Sequence, residues 1–205
     1  MERLEAASQE PPMILAPTTD RHAEILSEIS FAFRPMARKG LIWESREQIG
    51  LVVNKNELID LGLLNGKQLE MLHSNMNKLK CNYPDYMVFQ EDPNSKSKKK
   101  LFNKKRTRVA GIPDLIIEVW SSQNSALDRE EKKKLYAKES NEFWEIVQDN
   151  PTITCWKGLN HVYEQRIEEP VTTPWGEVID LSYLAKGIDY ELISKNSVDG
   201  IDIDL

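Results

Sequence analysis

The spacing of apolar and polar residues sets out a helix, a group of strands, a second helix and a second group of strands. Between Thr18 and Gly40, the apolar positions Ile25, Leu26, Ile29 and Phe33 fall on one helical face. Thr18, Thr19 or Asp20 can cap this helix, Pro35 should end or kink it, and Gly40 marks the turn beyond. Leu41–Ser45, Ile49–Asn54 and Tyr83–Gln90 read as strands. From Lys55 to Lys80 the pattern turns helical but carries no chemical motif. Ile112–Ser121 is a second strong strand, and it leads into a helix capped by Ser125, with Leu127, Leu135 and Tyr136 as apolar positions. Glu142–Asp149, Thr152–Gly158 and His161–Glu169 then read as meander strands, with Val178–Leu184 a short element near the end. This order predicts an α+β (α/β) fold: a central mixed β-sheet flanked by helices.

The stretch IPDLIIEVWSS, Ile112 to Ser122, raises the chemical question. It is the most apolar segment of the chain, yet it carries Asp114 and Glu118, and an ionised carboxylate is costly to bury without a partner. Four residues apart on one regular strand is about 13 Å, too far for both acids to hold one ion. If Tyr83–Gln90 and Ile112–Ser121 pair as a long-looped hairpin, the start of the first lies beside the end of the second. Asp85 then lies near Glu118, and Asp114 near the loop end. Two carboxylates so placed repel each other unless a cation joins them. Mg²⁺ (or Mn²⁺) prefers such oxygens, keeps several waters and stabilises charge on a phosphate. On the helix that follows, Lys132 and Tyr136 share a face, so Lys132 is the candidate to bring an ammonium to the same chemistry.

Length and charge then bound the class. A chain of 205 residues favours one domain, here 1–205, with a frayed N-terminus over 1–12 and a loosely packed acidic tail from about 194 to 205. The net charge of −6 argues against a general nucleic-acid coat, but Ser95–Arg108 is a concentrated basic run. Such a run most often forms a solvated loop. Beside an acidic pocket it would instead hold a phosphate backbone, through Lys98, Lys99, Lys100, Lys104, Lys105 and Arg106. The N-terminal residues lack the basic start and apolar core of a signal peptide, and no apolar run is long enough to span a bilayer. Cys81 and Cys155 fit no metal spacing and read as free thiols. A cytoplasmic chain with no membrane partner is the expectation.

The ordered set of motifs resembles the Uma-two family of endonucleases, within the PD-(D/E)XK, or restriction-endonuclease-like, superfamily. The resemblance rests on Pro84-Asp85, Pro113-Asp114, Glu118-Val119, Ser121, Asp128-Arg129, Lys132, Tyr136 and Glu142-Phe143-Trp144. Met13, Pro17 and His22 before the first helix are also similar to the family. What the resemblance implies is a restriction-endonuclease-like core, a nuclease activity on nucleic acid, DNA foremost, and dependence on Mg²⁺. It further implies Asp85 and Glu118 as metal ligands, Asp114 in the site or beside it, Lys132 as the catalytic lysine, and Glu24 or Glu28 as an auxiliary ligand. Cleavage of a duplex favours a homodimer. The sequence departs from the superfamily at one place: the lysine expected two residues after the acid is Trp120.

Each of these residues also has a structural reading. Asp85 and Asp114 follow proline, where Asp commonly caps a turn. Glu118 can form a buried ion pair, and Lys132 can be a solvated helix charge. His22 is expected to bond a backbone carbonyl near the helix start rather than to act as a ligand. The five tryptophans read as packing residues, with Trp175 in an exposed turn. A non-catalytic binding module that retains the nuclease fold is the alternative function.

Overall fold

The computed structural model describes residues 20–46, 49–52, 81–91, 100–102, 105–149 and 152–185. The segment from Lys55 to Lys80, both chain ends, and Lys98, Lys99 and Lys104 lie outside these residues.

The first helix, α1, runs Asp20–Arg38. Ile25, Leu26, Ile29 and Phe33 are all buried, as their spacing predicts. Pro35 does not end the helix, which continues for three more residues. A proline this close to the C-terminus costs few backbone hydrogen bonds, and packing of the apolar face outweighs that loss. The helix stops at Gly40, whose φ is +69°. Leu41 N–H donates to Met36 O and Gly40 N–H to Ala37 O, both at 3.0 Å. That pair of bonds is a Schellman closure, which needs a left-handed residue.

The strands are β1 (Ile42–Arg46), β2 (Gly50–Val52), β3 (Cys81–Asn82), β4 (Tyr86–Gln90), β5 (Lys100–Phe102), β6 (Arg108–Gly111) and β7 (Leu115–Trp120). Helix α2 (Ala126–Glu139) follows, and then β8 (Glu142–Val147), β9 (Thr152–Lys157), β10 (Asn160–Arg166), β11 (Val171–Thr172) and β12 (Val178–Ile179). A 3-10 turn at Ser182–Ala185 ends the described chain.

The central sheet has the order β1-β4-β7-β8-β9-β10. All neighbours are antiparallel except β7 and β8, so the sheet is mixed, as predicted. One face carries Tyr86, Val88, Leu115, Ile117, Val119, Trp144 and Ile146 and is covered by α1. The other carries Met87, Phe89, Ile116, Trp120 and Phe143 and meets Tyr136 and Ala137 of α2. Cover on both faces is why β7 is apolar at every position except Glu118.

A second sheet, in the order β3-β2-β6-β5, was not anticipated. Its strands β5 and β6 fall within or just after the basic run that reads as a solvated loop. Leu51 and Val109 tie this sheet to the second core face. Two smaller expectations also change. Leu127 does not pack under α2 but is 69% exposed. Trp175 is half-buried against Phe33, with ring centroids 6.1 Å apart, rather than exposed in its turn.

Candidate active site

Three elements bring Asp85, Glu118 and Lys132 to one place. In the antiparallel pair of β4 and β7, Tyr86 sits opposite Ile117. One step further in the same register puts Asp85, just ahead of β4, opposite Glu118. The contact is direct: the Asp85 N–H donates to Glu118 Oε1 at 3.1 Å, and the Val119 N–H donates to Asp85 Oδ2 at 2.7 Å. Glu118 shares its sheet face with Ile116 and Trp120, the face that α2 covers. Ser125 caps α2 by accepting the Asp128 N–H, and this fixes where the helix starts. Lys132 then reaches down from its second turn, and its Nζ lies 3.1 Å from Glu118 Oε2.

The electrostatics follow from burial. The Glu118 side chain is 1% exposed, that of Asp85 14% and that of Lys132 36%. Burial pushes the Glu118 carboxyl well above the ordinary glutamate range, and the neighbouring Asp85 charge pushes it further. Burial alone would lower the Lys132 ammonium, but Glu118 and Asp85 outweigh it and hold Lys132 above its ordinary value. The two upward shifts have different leading causes: burial for Glu118, and the two neighbouring carboxylates for Lys132. Tyr136, on the buried face of α2, is pushed up by burial and then by the same two acids.

Two carboxylates so placed would suit a hard divalent cation such as Mg²⁺ or Mn²⁺. Mg²⁺ takes oxygen ligands, is commonly held by one or two protein carboxylates, and keeps waters at its other positions. Asp85 and Glu118 provide that pair and a local deficit of positive charge. Among the described residues, no group of three or more His, Cys, Asp or Glu could hold a metal, so an all-protein cage is not present there.

The family model described as "Uma2: Putative restriction endonuclease" matches residues 64–185. The chain belongs to this family. Its matched region contains Asp85, Asp114, Glu118 and Lys132, and so agrees with the resemblance read from the motifs. A crystal structure entitled a "putative nuclease belonging to DUF820" from Anabaena variabilis aligns over 84% of each chain, with 15% identity and a TM-score of 0.46. At that level of likeness it adds nothing to the assignment. No curated protein matches the chain.

The remaining candidates of this family member are placed less centrally. Asp114 lies at the other end of the β4–β7 pair. Its Oδ2 accepts the Gln90 N–H at 2.7 Å, and its Oδ1 accepts from Asn141 Nδ2 at 2.9 Å. The structure therefore does not bring Asp114 to Glu118. Glu24 is exposed and pairs with Arg21 at 2.8 Å. Glu28 lines a groove of about 340 Å³ with Phe31, Met36, Val178 and Tyr183. Neither reaches the carboxylate pair. His22 does: its Nε2 is 3.6 Å from Asp85 Oδ1, so its ring faces a carboxylate. On the other side of the ring, Gln148 Nε2 lies 3.4 Å from His22 Nδ1.

Of the lysines and arginines proposed to hold a phosphate backbone, Lys100, Lys105 and Arg106 are among the described residues. Lys100 pairs with the Glu91 carboxylate, and its side chain is only 12% exposed. Its ammonium lies over the rings of Trp43 and Phe89 at 5.5 and 5.8 Å. Burial and the nearby Arg106 lower its pKa to about 8, partly offset by Asp114. Lys100 thus belongs to the Asp114 end of the hairpin, not to the Glu118 end. Lys105 and Arg106 are exposed, and Arg106 adopts a φ of 55° beside Phe102.

Sequence reasoning missed Gln148 and Glu145. Glu145 is the register partner of Glu118 in β8, and it accepts the indole N–H groups of Trp120 and Trp156 at 3.0 and 2.7 Å. A signal was present: Glu145 shares its strand parity with Phe143, and so points to a covered face.

Proposed function

We propose that this chain is a Mg²⁺-dependent nuclease that hydrolyses phosphodiester bonds within DNA. The supporting observation is the convergence of Asp85, Glu118 and Lys132 from two paired strands and a helix, with Glu118 wholly buried and 3.1 Å from the lysine ammonium. The family's description as a restriction endonuclease points to DNA rather than RNA. Cutting both strands of a duplex calls for two such sites, so a homodimer is the expected working form.

Asp85 and Glu118 would hold the ion. When bound, Mg²⁺ supplies positive charge at the phosphate and makes nearby water more acidic. The Asp85 and Val119 N–H groups hold the two carboxylates in place, so little reorganisation is needed as substrate arrives. Lys132 is the most exposed of the three side chains, so its ammonium meets the phosphate from the solvent side. There it can neutralise a phosphate oxygen or orient the attacking water. Glu118→Gln keeps the volume of the side chain and removes its charge. We expect it to abolish nicking of supercoiled plasmid in millimolar Mg²⁺ or Mn²⁺ with the fold intact by circular dichroism. Plasmid cleavage at the wild-type rate in that variant would falsify the assignment.

A second reading has an observation of its own. All four carboxylate oxygens of Asp85 and Glu118 already face a protein donor or the His22 ring. The cluster would then be a structural ion pair inside a DNA-binding or protein-binding module. Metal titration separates the two, because this module has no reason to melt higher in Mg²⁺.

A further inference from the structure

Trp120 stands two residues after Glu118 on β7, on the same sheet face, and is 1% exposed. Its ring lies flat beneath two cations of α2: Lys132 Nζ at 5.4 Å and Arg129 Cζ at 5.6 Å from the centroid. These distances are within the range of cation–π attraction. The indole cannot turn away, because its Nε1–H donates to Glu145 Oε1 at 3.0 Å. Glu145 is fixed in turn by the Trp156 indole, which donates to its other oxygen at 2.7 Å. Lys133 lies over that second indole at 4.7 Å.

Two consequences follow from the register. Glu145 is the neighbour of Glu118 across the parallel β7–β8 pair and would be a third carboxylate in the cluster. Each of its two oxygens instead accepts an indole N–H, one from Trp120 and one from Trp156. Lys132 also has Asp128 on its own helix as a competing acid, and a lysine stem has many rotamers. An aromatic floor under the ammonium removes most of them.

We infer that Trp120 and Glu145 are positioning residues. Glu145 locks the Trp120 indole, and the indole face steers the Lys132 ammonium onto Glu118 while Glu145 is kept out of the carboxylate pair. This deepens the nuclease reading and rests on it for its effect on rate, but the contact itself does not.

Two measurements test it. The first is a double-mutant cycle on Trp120→Leu and Lys132→Met, read by urea denaturation, with Glu145→Gln and Lys132→Met as a second cycle that leaves the core aromatic in place. Coupling is expected in both, with the joint effect on the unfolding constant differing from the product of the single effects by about threefold or more. The second is steady-state cleavage of a DNA oligonucleotide. Glu145→Gln should lower kcat by about tenfold or more with KM within about twofold, and Trp120→Phe, which keeps a ring face, should lose less than Trp120→Leu. Additive cycles overturn the inference whether or not the chain cleaves DNA. Coupled cycles with wild-type kcat in Glu145→Gln overturn the positioning role alone and leave the nuclease reading standing. Coupled cycles with no cleavage by the wild-type chain remove the nuclease reading, and with it the effect on rate.

Discussion

At the scale of single residues, Glu118 sets the terms. It has no exposed surface, one ammonium partner and a second carboxylate beside it. Its folded-state pKa is raised, so the native state holds the Glu118 proton to higher pH than the unfolded state does. Folding stability from this group is therefore full below the ordinary glutamate value of about 4.3 and is lost as pH rises through the raised value. Glu118→Gln cannot titrate there. The stability of metal-free wild-type protein minus that of Glu118→Gln should fall steadily as pH is raised from about 4, measured by urea denaturation. A difference that rises or stays flat would mean the carboxylate is better compensated than its surroundings indicate. Lys100 carries the opposite shift: burial lowers it to about 8, and an inward-facing ammonium at the Asp114 end is a poor backbone contact.

At the scale of elements, the β4–β7 pair has two ends with different work. Asp85 and Glu118 meet at one end, while at the other Asp114 accepts from Gln90 and Asn141 and so ties β4, β7 and the start of β8 together. Asp114→Ala should cost about 2 kcal/mol by removing a buried carboxylate that accepts two hydrogen bonds, and should leave intact any Mg²⁺-dependent rise in melting temperature. If Asp114→Ala removes the Mg²⁺ response without lowering stability, then Asp114 belongs to the metal centre after all. Helix α2 depends on its cap in the same way. Ser125→Ala should cost about 1 kcal/mol in chemical denaturation, since the Asp128 N–H loses its acceptor. These elements were legible because their signals are local. Ser125 before an acidic turn, Gly40 after an amphipathic run, and an apolar β7 between Gly111 and Ser121 all announce themselves within a few residues. Strands β3, β5 and β6 did not, being short and lying in or beside charged sequence with no alternation to read.

At the scale of the whole molecule, one mixed sheet covered on both faces joins residues far apart in sequence, and the site inherits its stability from that sheet. An ion held only by the folded state stabilises the fold by mass action. Millimolar Mg²⁺ should therefore raise the wild-type melting temperature, and Asp85→Asn or Glu118→Gln should remove that rise. A rise that persists in both variants would place the ion elsewhere. The sequence by itself determined the class of fold and which residues share a face, Glu118 with Trp120 on a strand and Lys132 with Tyr136 on a helix, because strand parity and helical spacing are properties of the local chain. Only the tertiary structure decided that β4 and β7 become neighbours so that Asp85 meets Glu118, that His22 faces Asp85, that the second sheet exists and that Trp120 is clamped by Glu145. Those depend on which strands become neighbours and on what covers each face, and no local pattern encodes the energy of contacts made across the sheet.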